Sequence, residues 1–137
     1  MVRPLKDQPS VTTPEAIRNL LPKSMVRAHK EAFYVLALGS GNRVIGIQCV
    51  ARGFSDSCPV DPREIFRYAL IKRASAIVVA HNHPSGDPTP SALDISLTAQ
   101  ICAGAKLLNI RCLDHVIVAR GGAFLSMLSA GLMKGEA

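Results

Sequence analysis

Two imidazoles, a hydroxyl and a carboxylate fall within one stretch of fourteen residues, His81-Asn82-His83-Pro84-Ser85-Gly86-Asp87-Pro88-Thr89-Pro90-Ser91-Ala92-Leu93-Asp94. A catalytic zinc takes three protein ligands from His, Asp, Glu or Cys and keeps a fourth position for water. His81, His83 and Asp94 supply that set, for one zinc ion. Pro84, Gly86, Pro88 and Pro90 let the connection fold back sharply while restricting its freedom, so the donors are partly positioned before a metal arrives.

Water on zinc has its pKa lowered to about 7, yet proton transfer from it still needs a nearby base. Asp87 lies in the rigid turn and Asp94 is engaged as a ligand, so the base must come from elsewhere. Glu31, at the lip of the first strand, is the best acid available. Each residue also has a plainer explanation. A single histidine packs or bonds solvent, Ser91-x-x-Asp94 is a capping box with Asp in place of Glu, and Glu31 beside Lys30 is a surface acid. The joint occurrence of two histidines, a proline-rich turn and a carboxylate is what favours a metal.

The elements that must hold this stretch can be read from pattern. Ala76–Ala80 is a short β-branched run of the kind covered on both faces of a sheet, and it delivers His81 and His83 to a strand end, two residues apart on one face. Ser91 to about Leu108 follows as a long helix closed by Asn109, with Ser91 and Asp94 both near its N-terminus. Upstream, Thr13-Pro14-Glu15 starts a helix that Pro22 ends, and Glu31–Leu38 is a strand turned at Gly39-Ser40-Gly41-Asn42 into a return strand from Arg43 to about Arg52. Residues 53–60 form a loop, and Asp61-Pro62-Arg63-Glu64 opens a helix to about residue 74. Downstream come a strand at Arg111–Arg120 and a short one around Ala123–Ser126, with room for a last helical turn in 127–133. The order is α-β-β-α-β-α-β-β, an α/β domain with helices flanking one central mixed sheet. Residues 1–12, with Pro4 and Pro9, are expected to be mobile or loosely attached, and residues 13–137 to form the domain.

At 137 residues, 48% hydrophobic and 19% charged, the chain is a globular protein with one core. The formal charge of +6 is concentrated early, since residues 1–52 carry eight Lys/Arg against three acids. That permits an acidic partner. No basic run has the density of a nucleic-acid arm, and the aromatics Phe33, Tyr34, Phe54, Phe66, Tyr68 and Phe124 are too few for a base-stacking platform. Cys49, Cys58, Cys102 and Cys112 make no C-x-x-C pair and are read as four reduced thiols, which points to the cytoplasm. No secretory signal and no membrane span is expected.

The stretch resembles the JAMM (MPN-type) metalloprotease motif, a distant Glu followed by His-x-His, seven residues, Ser, two residues and Asp. Its form from His81 to Ser91 is similar to the bacterial RadC branch. Thr13-Pro14-Glu15, Glu31-Ala32-Phe33, Pro59-Val60-Asp61-Pro62-Arg63-Glu64, Leu113-Asp114-His115-Val116-Ile117-Val118 and Ser129-Ala130-Gly131-Leu132 resemble the RadC pattern in order, over about residues 12–133. The resemblance implies a cytidine-deaminase-like α/β/α sandwich, with His81, His83 and Asp94 as zinc ligands, Glu31 as general acid/base and Ser91 as hydrogen-bond donor to the oxyanion. His115 is expected to be a hydrogen-bonded structural residue, with a role behind the ligands as the alternative. RadC proteins resemble this chain only in their C-terminal domain. The helix-hairpin-helix-type region that usually precedes it has no counterpart in residues 1–12, so the expectation is either a stand-alone domain, which Met1 favours, or a domain trimmed from a longer chain.

The leading expectation is a zinc-dependent hydrolase that cleaves an amide bond in a peptide or an isopeptide-linked protein. The alternatives are a DNA-associated accessory domain, with DNA or a DNA-processing protein as partner, and a metal-stabilised scaffold without turnover. The presence of Glu31, Ser91 and Asp94 together argues against the scaffold, which has no need of a base.

Overall fold

Three central strands buried along nearly their whole length, and a layer of helix on each face to cover them, account for the architecture in this computed structural model, which describes residues 9–11, 13–54 and 59–133. The elements are α1 (Pro14–Leu20), α2 (Ser24–Arg27), β1 (Ala32–Leu38), β2 (Val44–Arg52), α3 (Pro62–Ile71), β3 (Ala76–His83), α4 (Ala92–Leu107), β4 (Arg111–Ala119) and β5 (Phe124–Ser126). They form an α/β fold around an open five-stranded mixed sheet of order β2-β1-β3-β4-β5. β1 runs antiparallel to β2 and β3, β4 is parallel to β3, and β5 is antiparallel to β4. The one parallel pair needs a crossover, and α4 supplies it.

Each face of the sheet has its own apolar core. Phe33 and Val35 of β1, Ile77 and Val79 of β3, and Ile117 of β4 meet Ile65 and Ala69 of α3 and Ile101 and Ala105 of α4. The intervening residues Tyr34, Leu36, Leu38, Val78, Ala80, Val116 and Val118 face the opposite way, against Ile17 of α1 and Met25 of α2. Full burial of a Leu, Ile or Phe side chain contributes about 1.5–3 kcal/mol, so the two layers hold the central strands firmly. The phase matters for the site: His81 and His83 continue the alternation of Ile77 and Val79 and therefore emerge on the α3/α4 face.

Helix boundaries follow their caps. Thr13 accepts from Ala16 N–H ahead of Pro14, and Asp61 accepts from Arg63 N–H ahead of Pro62. Asn109, at φ 58°, closes α4. Two sequence expectations need correction. The four-residue α2 went unforeseen because Lys23 provides no side-chain cap. Residues 9–11 belong to the packed domain rather than to a loose tail, for Ser10 bridges Arg43, Val44 N–H donates to Pro9 C=O at 2.8 Å, and Val11 is buried. Residues 127–131 are hydrogen-bonded turns that include one helical bond, Ala130 N–H to Ser126 C=O at 3.0 Å, so the expected last turn is a single one.

Those turns are tied down by Asp114, which accepts from the Ser126 hydroxyl at 2.6 Å and from Leu128 N–H at 3.1 Å. Cys49, Cys102 and Cys112 are not in disulfides, and Cys58 lies outside the described residues, as do 1–8. No described helix is long and apolar enough to cross a membrane.

Candidate metal centre

The end of β3 and the start of α4 bring the three expected ligands together. His81 Nε2 lies 3.1 Å from Asp94 Oδ1, while His83 Nε2 lies 3.0 Å from Asp94 Oδ2 and 3.0 Å from His81 Nε2. One donor atom from each residue falls within 4.8 Å of the others, so this group could hold a metal ion. The donor chemistry fits one. Two imidazole nitrogens and a carboxylate converge on a point where a cation replaces the repulsion among their lone pairs.

The local sequence explains how each donor is aimed. Behind His83 the chain turns through Pro84, Ser85 and Gly86, the last at φ 93°, a conformation suited to glycine. Asp87 then accepts Thr89 N–H on its side chain at 2.9 Å, and its carbonyl faces His83 Nδ1 at 2.9 Å. A carbonyl cannot donate, so Nδ1 carries the proton of neutral His83 and Nε2 is left for a metal.

At the head of α4, Ser91 Oγ accepts from Asp94 N–H at 3.0 Å, and Asp94 Oδ2 accepts from Ser91 N–H at 2.9 Å. The capping box is real, and it coexists with the site. The box orients Asp94 toward the histidines, and because a hydroxyl has a donor as well as acceptor lone pairs, Ser91 keeps its proton for a further bond.

Electrostatics follow from this packing. Burial favours neutral Asp94, but its contacts with the His81 and His83 rings and the Ser91 N–H outweigh that and hold the carboxyl well below the usual carboxylate range. The same contact with Asp94 raises His83 above the ordinary imidazole range, despite its burial, and the Glu31 charge adds to the effect.

Glu31 borders the same open cleft as His83, Ser91 and Asp94, a space of about 620 Å³. Its position just before β1 is fixed by a residue that sequence reasoning passed over. Asn82, between the two histidines and 1% exposed, accepts from Ala32 N–H at 2.7 Å and donates to Lys30 C=O at 3.1 Å. It thus extends the β1–β3 ladder past its last pair, Phe33 with His81, and clamps the chain on both sides of Glu31. The signal was its place in His-x-His, where the middle side chain cannot face the metal. Asn82→Ala leaves Ala32 N–H without that acceptor and is expected to cost about 1–3 kcal/mol of stability in urea unfolding. An unchanged unfolding midpoint would show that the clamp does not hold this segment.

Further contributors lie beneath the ligands. Phe33 stacks on His81, with ring centroids 5.8 Å apart and planes within 13°, and meets His115 edge-on at 5.6 Å. His115 is fully buried, and desolvation pushes it well below the ordinary imidazole value. It touches His81 on one side and Thr98 of α4 on the other, and so it does not stand as a fourth ligand.

The chain is similar to known proteins over most of its length. The RadC-like JAB domain matches residues 11–132. The chain is 43% identical over 112 residues to a UPF0758 protein of Caldanaerobacter subterraneus, covering 82% of this chain and 48% of the relative. It is 38% identical over 122 residues to a UPF0758 protein of Symbiobacterium thermophilum, covering 89% and 52%. With a UPF0758 protein of Acidovorax ebreus the figures are 41% over 133 residues, 97% and 56%. The chain therefore spans about half the length of these curated relatives. On the matched span and the arrangement of His81, His83 and Asp94, this chain belongs to the RadC-like JAB domain family.

Proposed function

We propose that the domain is a zinc-dependent hydrolase that cleaves an amide bond in a peptide or an isopeptide-linked protein. The observation that carries this reading is the meeting of Glu31, from the mouth of β1, with His83, Ser91 and Asp94 around one cleft. A metal held only for stability needs no acid beside it. Zinc bound by His81, His83 and Asp94 would polarise the scissile carbonyl and lower the pKa of a water to about 7.

The protein's own groups do the rest. Glu31 takes a proton from the attacking water as the C–O bond forms and returns it to the amine as the C–N bond breaks. Ser91 donates its remaining proton to the developing oxyanion, while its lone pair stays on the α4 cap. Phe54, Val60, Leu93 and Leu97 give the cleft apolar walls, and none of its described lining residues is Lys or Arg. Such a lining suits a peptide better than a polyanion.

A DNA-associated accessory role is the second reading, and the basic excess of residues 1–52 favours it. DNA would then bind outside the cleft, with affinity falling steeply as salt is added. The three described cysteines, none of them in a disulfide, suit the cytoplasm. Turnover of a panel of peptide and isopeptide substrates tests the proposal: hydrolysis lost on chelation and regained with zinc is expected. A zinc-loaded protein that binds DNA and hydrolyses nothing in the panel would favour the accessory role instead.

A further inference from the structure

We propose that Thr98 and His115 are positioning residues that act through His81, locking it in the tautomer that leaves Nε2 bare for a cation. The proposal rests on the reading of His81 as a metal ligand. Its basis is a chain of buried contacts in which every proton can be counted.

Thr98 Oγ1 lies 2.7 Å from the carbonyl oxygen of Asp94, one turn earlier in α4, and 2.6 Å from His115 Nδ1. A carbonyl oxygen has no proton to give, so a contact this short requires the Thr98 hydroxyl proton. The Met127 sulfur, 3.5 Å from the same hydroxyl, is a weaker acceptor. With its proton committed, Thr98 can only accept from His115, which therefore carries its proton on Nδ1. His115 is 0% exposed and its ring nitrogens meet His81 and Thr98 rather than a carboxylate, so a second proton would bury an unpaired charge.

The neutral ring then offers a bare Nε2, which lies 2.7 Å from His81 Nδ1. One proton must sit between those nitrogens, and it comes from His81. Neutral His81 has its proton on Nδ1, and Nε2, which faces His83 and Asp94, is a free lone pair. The α4 backbone thus dictates a tautomer on β3. The same hydroxyl that holds the Asp94 carbonyl orients the His81 ring, so two ligands from different elements share one support.

Removing the hydroxyl should reverse the relay. In Thr98→Val, a nearly isosteric change, the His115 Nδ1–H would have no oxygen to meet, and a buried donor tolerates that less well than a buried lone pair. The proton moves to His115 Nε2 and donates to His81 Nδ1, which forces the His81 proton onto Nε2, where it competes with metal. Thr98→Ser keeps the hydroxyl and should behave as the parent.

Ring-¹⁵N NMR of histidine-labelled, metal-free protein, above the ordinary histidine range of about 6.5, reads the tautomers directly. The expected result is Nδ1 protonated on both His81 and His115 in the parent and in Thr98→Ser, and Nε2 protonated on both in Thr98→Val. Competition with a chelator should show zinc held roughly 10–100-fold more weakly by Thr98→Val, the usual cost of losing a group that orients a ligand. Nε2 protonated on either ring in the parent would overturn the proposal, as would a folded Thr98→Val with parental tautomers. Should Thr98→Val not fold, the parent spectrum decides alone. The two layers separate cleanly: parental tautomers as stated with no zinc bound would remove the metal reading and leave the relay, whereas zinc bound with reversed tautomers would do the opposite.

Discussion

Glu31→Gln is expected to keep its zinc and to lose turnover by roughly 10²–10⁴-fold, the usual contribution of a positioned general base. The substitution is nearly isosteric and falls outside the group of donor atoms formed by His81, His83 and Asp94. The backbone on either side of residue 31 is held by Asn82 and does not depend on the side chain. An amide cannot take the proton from water, so the loss should appear in kcat rather than in metal content. Zinc analysis and turnover measured on the same preparation check this. Turnover that is insensitive to Glu31→Gln would place the base elsewhere.

Asp94→Asn should do the reverse, depleting the metal while sparing the fold. The carboxylate serves both the α4 cap and the two histidines. Asn retains a side-chain oxygen for Ser91 N–H, so the cap survives, but the negative charge facing the two imidazoles is gone. Loss of a group that merely orients a ligand weakens metal binding by about 10–100-fold, and loss of a ligand's charge should exceed the upper end of that range. Chelator competition gives the affinity, and thermal unfolding of the metal-free proteins checks the fold. An affinity equal to the parent's would remove Asp94 from the ligand set.

Where chemistry is local in the chain, it could be read from the chain. His81 and His83 share a face because they sit two apart on a strand, and Ser91 and Asp94 meet because they sit three apart at a helix start. Glu31 is different. Its approach to the cleft depends on the register that pairs Phe33 with His81, which no local pattern encodes, and only the likeness to a known family singled it out with any force. The contact of His115 with His81 depends on the parallel β3–β4 register, which shifts between Ile77 and Val78. That shift was invisible, and so was the phase of α4 that brings Thr98 onto the same ring. Asn82 was overlooked for a related reason, since its partners Lys30 and Ala32 are distant in sequence and are engaged through their backbone atoms.

X-ray absorption at the zinc edge of the metal-loaded protein tests the central claim most directly. None of Cys49, Cys102 and Cys112 is in a disulfide or in the His81, His83 and Asp94 group, so sulfur in the first coordination sphere would mark a different site. The expected spectrum has two imidazole nitrogens and carboxylate or water oxygen, all at about 2.0–2.2 Å, and no sulfur. Sulfur scattering at about 2.3 Å, or the absence of imidazole, would contradict a site built from His81, His83 and Asp94.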